Sequence, residues 1–247
     1  MLIDTHCHIH ESDYPLQVDD VLKRAKAVGV EKMICVGTSE KSSAQAIEFA
    51  SRYENIFAAI GVHPHDTKDG YDDIAMLAKQ DVVAIGEIGL DYFYKHSSRE
   101  TQIAALESQI QTALDNNKTI IFHVREAFDD FWPIFDNFHG IRGVLHSFTD
   151  VQQNAEKAFE RGLYIGVNGI STFTKDEKQQ KLYASIPLDK MLLETDAPFL
   201  TPTPYRGTIN EPAYVSEVAK HHALIRGIAV EEVAATTTAN ATALFEI

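Results

Sequence analysis

A chain of 247 residues with 45% apolar content can bury one large core, and α/β barrels of about 250 residues close as single units of this size. Its 22 Lys and Arg against 36 Asp and Glu leave a formal net charge of -14, which opposes broad nonspecific attraction to nucleic acid. Two cysteines, Cys7 and Cys35, make no disulfide framework, no basic segment precedes an apolar stretch at the start, and no run reaches the ~18 apolar residues of a membrane span, so a soluble cytoplasmic protein is expected.

Short apolar, β-branched runs recur along the chain. They are LIDTHCH at the start, KMICVGT from Lys32, IFAAIGVH from Ile56, VVAIGEIGLD from Val82, TIIFHV from Thr119, GVLHSF from Gly143, LYIGVNG from Leu163 and MLLETDAP from Met191. Helix-like stretches separate them: Asp19 to Val28, Ser42 to Arg52, Ser98 to Asn116, Ala127 to Phe138, Asp150 to Glu160 and Lys175 to Ser185. Nearly all-apolar strands alternating with helices imply a parallel sheet covered by helices, and eight repeats predict closure into a single (β/α)8 TIM barrel spanning 1-247. A doubly wound open sheet would carry a glycine-rich phosphate loop after an early strand, and none is present. The stretch TPTPYRGTINEP reads as an ordered loop, with two closing helices from about Ala213 to Leu224 and about Val230 to Leu244.

Polar residues interrupt the apolar runs at one end, again and again. Strand one gives His6 and His8, which alternation turns to the same side; later strands give His63, Glu87, His123, His146 and Asp196. In a parallel barrel the ends of the strands that lead into the βα loops are where active sites form. A lone histidine is more often a satisfied core or surface residue, and an Asp after a strand is more often a turn former. Burying up to four of these imidazoles and the two carboxylates together without a partner would cost several kcal/mol for each carboxylate. Divalent cations remove that penalty, so the set predicts a metal site.

The motifs DTHCH, GVHPH, GEIGLDY, FHVREA, LHSF, ETDAPFL and PYRGTINEPAYV follow one another in order from Ile3 almost to the C-terminus. In this the chain resembles the TatD-like metal-dependent hydrolases, the TatD-type deoxyribonucleases. The resemblance implies that His6, His8 and Asp196 hold one metal, that His123 and His146 hold a second, and that Glu87 bridges the two. It also implies that Glu87, Asp196 and His63 serve catalysis, Asp196 by receiving a proton and His63 by contacting the substrate phosphate. Two ions about 3.5 to 4 Å apart can clamp a phosphodiester. The donor set suits Zn²⁺, Mn²⁺ or Ni²⁺, and nuclease chemistry often runs on Mg²⁺.

Arg125 shares the face of His123 and can donate to phosphate oxygens or close the barrel mouth; Arg206 can contact phosphate or staple its loop. Tyr92 and Phe93 can stack on a base or on a neighbouring loop. His65 reads as loop structure or rim, Cys7 as inert, and His221 with His222 as surface. Between the RG and NEP of the last motif, where family members commonly carry basic residues, stand Thr208 and Ile209, which give less grip on a polynucleotide.

The resemblance thus implies phosphodiester hydrolysis, with 3′-5′ trimming of single-stranded DNA or nucleotide-chain ends, and no membrane or obligate protein partner. A metallohydrolase of the same scaffold acting on an ester, amide or lactone, such as a misacylated tRNA, is the first alternative. A noncatalytic, metal-stabilised binding protein is the second, disfavoured because structural metal sites usually close with four protein ligands.

Overall fold

The computed structural model describes residues 1–247. Eight strands, β1 (Leu2–Cys7), β2 (Val30–Val36), β3 (Ile56–Ile60), β4 (Ala84–Asp91), β5 (Thr119–Arg125), β6 (Gly143–Leu145), β7 (Tyr164–Val167) and β8 (Met191–Leu193), lie in one sheet in sequence order. Helices alternate with them: α1 (Val18–Ala27), α2 (Glu40–Ala50), α3 (Ile74–Leu77), α4 (Arg99–Asp115), α5 (Phe128–Phe135), α6 (Gln152–Glu160), α7 (Ile170–Phe173) and α8 (Glu177–Ser185), then α9 (Val215–Arg226) and α10 (Val230–Phe245). This is the (β/α)8 barrel class that the eightfold alternation predicts. No helix is long and apolar enough to cross a membrane.

Contacts divide the chain into two compact units, Met1–Cys35 with Ser147–Ile247, and Val36–His146. In the first, β1 pairs with β2 and β7 with β8, all parallel, and Cys7 bridges to Ala197 just beyond β8. Every residue of β1 is buried, as a parallel strand covered on both faces must be. Helix α10 packs on β1 and β8, and its Asn240 amide donates at 2.8 Å to both the Leu188 and Met191 carbonyls, satisfying the backbone that leads into β8. Cys7 and Cys35 are buried free thiols.

In the second unit β4 pairs with β5 and β5 with β6, also in parallel. All eight residues of β4 are buried, including Glu87 and Asp91. Phe122 of β5 meets Phe131 and Phe135 of α5 at ring separations of 5.1 and 5.9 Å, which seats that helix on the sheet. The Ser39 and Ser98 hydroxyls accept from the Ser42 and Thr101 amides and cap α2 and α4, each worth about 1 kcal/mol.

His222 departs from its surface reading. The ring is fully buried, with Nε2 3.2 Å from Ser171 Oγ. Val215, Val218, Ala219 and His222 are all buried on α9, and that spacing is the inward stripe of a helix. Burial lowers the His222 pKa from 6.5 to about 3. The folded ring therefore stays neutral while the unfolded one takes up a proton below its ordinary value. Its stabilising contribution is complete above pH 6.5 and is lost as the pH falls toward 3. Between pH 7 and 5 the parent is expected to lose about 2 kcal/mol more stability than His222→Gln in denaturant unfolding. Equal losses in both proteins would contradict this.

Candidate metal centre

The first ligand set lies in the unit that holds β1 and β8. His6 and His8 leave β1 on the same side, while Asp196 stands three residues beyond β8. The Asp196 amide donates to the His6 carbonyl and the His8 amide to the Ala197 carbonyl, both at 2.8 Å, so backbone bonds bring the carboxylate to the imidazoles. Asp196 has φ 61°, a left-handed conformation that Asp tolerates better than most residues and that turns the chain after the short strand.

His6 Nε2 and His8 Nε2 are 3.2 Å apart, and Asp196 Oδ1 lies 3.8 Å from the first and 3.3 Å from the second. A tetrahedral ion with bonds of about 2.0–2.1 Å holds its donors about 3.3–3.4 Å apart, so these three atoms fit one coordination face. Asp4 supports them from below: its Oδ1 accepts from the His6 and Thr195 amides at 3.3 and 2.9 Å, and its Oδ2 from Thr195 Oγ at 2.6 Å. Burial pushes the Asp4 carboxyl up to about 8.

The second set lies in the other unit. Glu87 Oε1 has His123 Nδ1 at 2.7 Å, His63 Nε2 at 3.6 Å and His146 Nε2 at 3.7 Å. Donor atoms of His63, Glu87 and His123 all lie within 4.8 Å of one another. A buried carboxylate facing three imidazoles is a donor set that borderline divalent metals favour. His63 stands as close to Glu87 as His146 does, so distance alone does not separate a ligand from a substrate contact.

The His65 amide donates to His63 Nδ1 at 3.2 Å, and burial, reinforced by His123, lowers the His63 pKa well below its ordinary value. A neutral ring whose Nδ1 accepts must carry its proton on Nε2, the nitrogen that faces Glu87. His123 differs. Burial disfavours its charge, yet hydrogen bonds to Asp91 and Glu87 outweigh that and raise its pKa.

Asp91 escaped the sequence reading, although it shares the face of Glu87 four residues back on β4. Its Oδ2 lies 3.2 Å from His123 Nε2 and 3.0 Å from His65 Nε2, so His123 is held between two carboxylates, Glu87 on Nδ1 and Asp91 on Nε2. Burial would raise the Asp91 pKa, but these hydrogen bonds and the Tyr94 amide hold it well below the usual carboxylate range. His65, read as loop structure or rim, is thus tied to the site.

Two glutamines of α4, neither singled out from the sequence, fix the backbone beneath the second set. Gln102 accepts from the Asp91 amide at 2.9 Å and donates to the Asp91 carbonyl at 3.1 Å, while Gln109 accepts from the Val62 amide at 2.8 Å, one residue before His63.

The remaining sequence candidates take their places as follows. Arg125 lies over the Phe93 and Tyr94 rings. The Tyr92 hydroxyl donates to Asp130 at 2.5 Å, and Asp130 also pairs with Arg99. Arg206 stacks at 3.8 Å on Phe173 and donates to the Thr201 carbonyl at 2.7 Å, which staples its loop. Thr208 and Ile209 are exposed.

The family described as TatD related DNase matches residues 3–246. The Bacillus subtilis protein named "Uncharacterized metal-dependent hydrolase YabD" is 38% identical, with 100% of both chains covered. The Salmonella typhimurium protein named "3'-5' ssDNA/RNA exonuclease TatD" is also 38% identical, covering 100% of this chain and 99% of that one. Among solved structures, the TatD homolog YJJV of Escherichia coli superposes with a TM-score of 0.92 at 30% identity, covering 100% and 98% of the two chains. With a match along almost its whole length and relatives of this similarity, the chain belongs to the TatD related DNase family and is a metal-dependent hydrolase of that family.

Proposed function

We propose that the protein hydrolyses phosphodiester bonds, releasing nucleotides from the 3′ end of single-stranded DNA with two divalent ions, Mg²⁺, Mn²⁺, Zn²⁺ or Ni²⁺. The observation that carries this reading is Glu87 Oε1 facing His123, His63 and His146 at 2.7 to 3.7 Å, a buried carboxylate amid imidazoles on and just beyond parallel strands. In this proposal His6, His8 and Asp196 hold one ion, His123 and His146 the other, and Glu87 is shared between them. Bound there, the ions neutralise phosphate charge and acidify water.

The chain's own groups then divide the work. His63, whose Nδ1 accepts from the His65 amide, offers Nε2 as a hydrogen-bond donor for a phosphate oxygen. Asp196, beside His8, would receive the proton that water gives up. A relative named as an exonuclease of single-stranded DNA and RNA supports the choice of substrate.

The test is chelation and metal add-back. Protein dialysed against chelator is expected to lose activity on a 5′-labelled single-stranded oligonucleotide. Restored Mg²⁺, Mn²⁺, Zn²⁺ or Ni²⁺ is expected to recover a ladder that shortens from the 3′ end, with elemental analysis reading about two ions per chain. Hydrolysis confined to esters, lactones or amides, with the oligonucleotide intact under every metal, would replace this reading with the other metallohydrolase chemistry.

A further inference from the structure

We propose that Phe93, Tyr94 and Arg125 form a stacking platform for a nucleobase beside the second ligand set, an inference that rests on the phosphodiesterase reading above. The guanidinium of Arg125 lies 4.0 Å from the Phe93 ring centroid and 4.9 Å from that of Tyr94. The two rings meet edge to face at 4.7 Å. Phe93 nevertheless keeps 48% of its surface exposed and Tyr94 44%, large for adjacent aromatics in a chain that buries most of its apolar side chains.

A mobile loop tip would give such exposure no meaning, but this one is fixed. Asp91 Oδ1 accepts from both the Phe93 and Tyr94 amides at 2.9 Å, while its Oδ2 lies against His65 and His123. One carboxylate thus sets the position of the platform relative to a proposed metal ligand. The second half of the platform is set by β5, where Arg125 follows His123 by two residues and shares its face.

A continuous series of rings joins rim to ligands. Tyr94 lies 5.4 Å from His65, His65 lies 4.3 Å from His63, and His63 lies 4.4 Å from His123. Tyr94 also stacks on His96 at 5.8 Å, which steadies its outer side. A phosphate held by His63 would place a neighbouring base of the same strand within reach of these rings. Such stacking tolerates any base, because every base offers a π-face, and it holds single strands without a long basic track. That suits a protein with net charge -14. The chemistry recognised is therefore a flat heterocycle one or two positions from a phosphodiester. Tyr92, occupied by Asp130 and Arg99, is not part of it.

The experiment compares the parent, Phe93→Ala/Tyr94→Ala and Phe93→Tyr/Tyr94→Phe on two substrates. One is a single-stranded thymidine octamer, and the other is the same octamer with tetrahydrofuran abasic residues in its last two 3′ positions. The parent is expected to prefer the intact end by about 10-fold in kcat/KM, mostly through KM, on the scale of one stacked base. The double alanine variant is expected to lose that preference, and the aromatic-for-aromatic variant to keep it. A preference that survives the alanines, or one that falls equally in both variants, overturns the platform. Failure of the parent to cleave either octamer sinks the phosphodiesterase reading instead. Equilibrium anisotropy of the labelled thymidine octamer then decides the platform alone: equal affinity of parent and alanine variant overturns it, and a weakened variant upholds it.

Discussion

Glu87→Gln is expected to lower kcat for phosphodiester hydrolysis by about 10³-fold while the protein stays folded. The substitution keeps the size and planarity of the side chain and removes its charge. Oε1 faces three imidazoles, at 2.7 Å from His123, 3.6 Å from His63 and 3.7 Å from His146, and a neutral amide there would not balance the charge of the proposed ions. A loss of this size is that of removing one group that stabilises transition-state charge. Two further readouts separate chemistry from collapse: metal content after dialysis should fall, and the thermal midpoint should move by only a few degrees. A variant that keeps more than about a tenth of parental turnover at saturating metal would show that Glu87 holds no catalytic ion.

Gly89→Ala is expected to destabilise the protein by about 4 kcal/mol or more. Gly89 has φ +155°, in the region that side chains avoid, and a Cβ built on it would lie 1.8 Å from the His123 carbonyl oxygen. That oxygen belongs to the neighbouring strand, so the clash is relieved only by moving β5 away from β4. The same movement carries His123 away from Glu87 and Asp91, on either side of Gly89 in the chain. For a chain of this length the midpoint is expected to fall by about 8–16 °C, with activity lost below the transition as well. A midpoint within 2 °C of the parent would mean that the strands are not held at this separation.

Much of the architecture is legible because buried parallel strands must be apolar nearly throughout, as β1 and β4 are, so a polar residue within them stands out. His6, His8, Glu87 and His123 were visible for that reason. Strand ends were less so. The runs GVLHSF and MLLETDAP suggest longer strands than the three residues each of β6 and β8, because the chain leaves the ladder through left-handed residues, Ser147 at φ 48° and Asp196 at φ 61°, that no local pattern announces. The start of β2 at Val30, two residues earlier than Lys32, comes from pairing with Leu2. The single turns Ile74–Leu77 and Ile170–Phe173 are too short for periodicity to register.

Asp91 and Asp4 follow the same logic as the missed glutamines. An acid at the end or start of a strand resembles a turn former, and only the neighbouring strand reveals what it holds. His222 was the avoidable miss, since its spacing from Val215, Val218 and Ala219 is that of a core-facing stripe.

The two glutamines of α4 have a consequence for how the site can change. Because Gln102 and Gln109 grip the main chain at Asp91 and Val62, the footing of His63 and His123 does not depend on the loops beyond them. The segment from Tyr92 to His96 is a rim mounted on a fixed base, free to exchange its side chains for others suited to a different substrate while His63 and His123 keep their place.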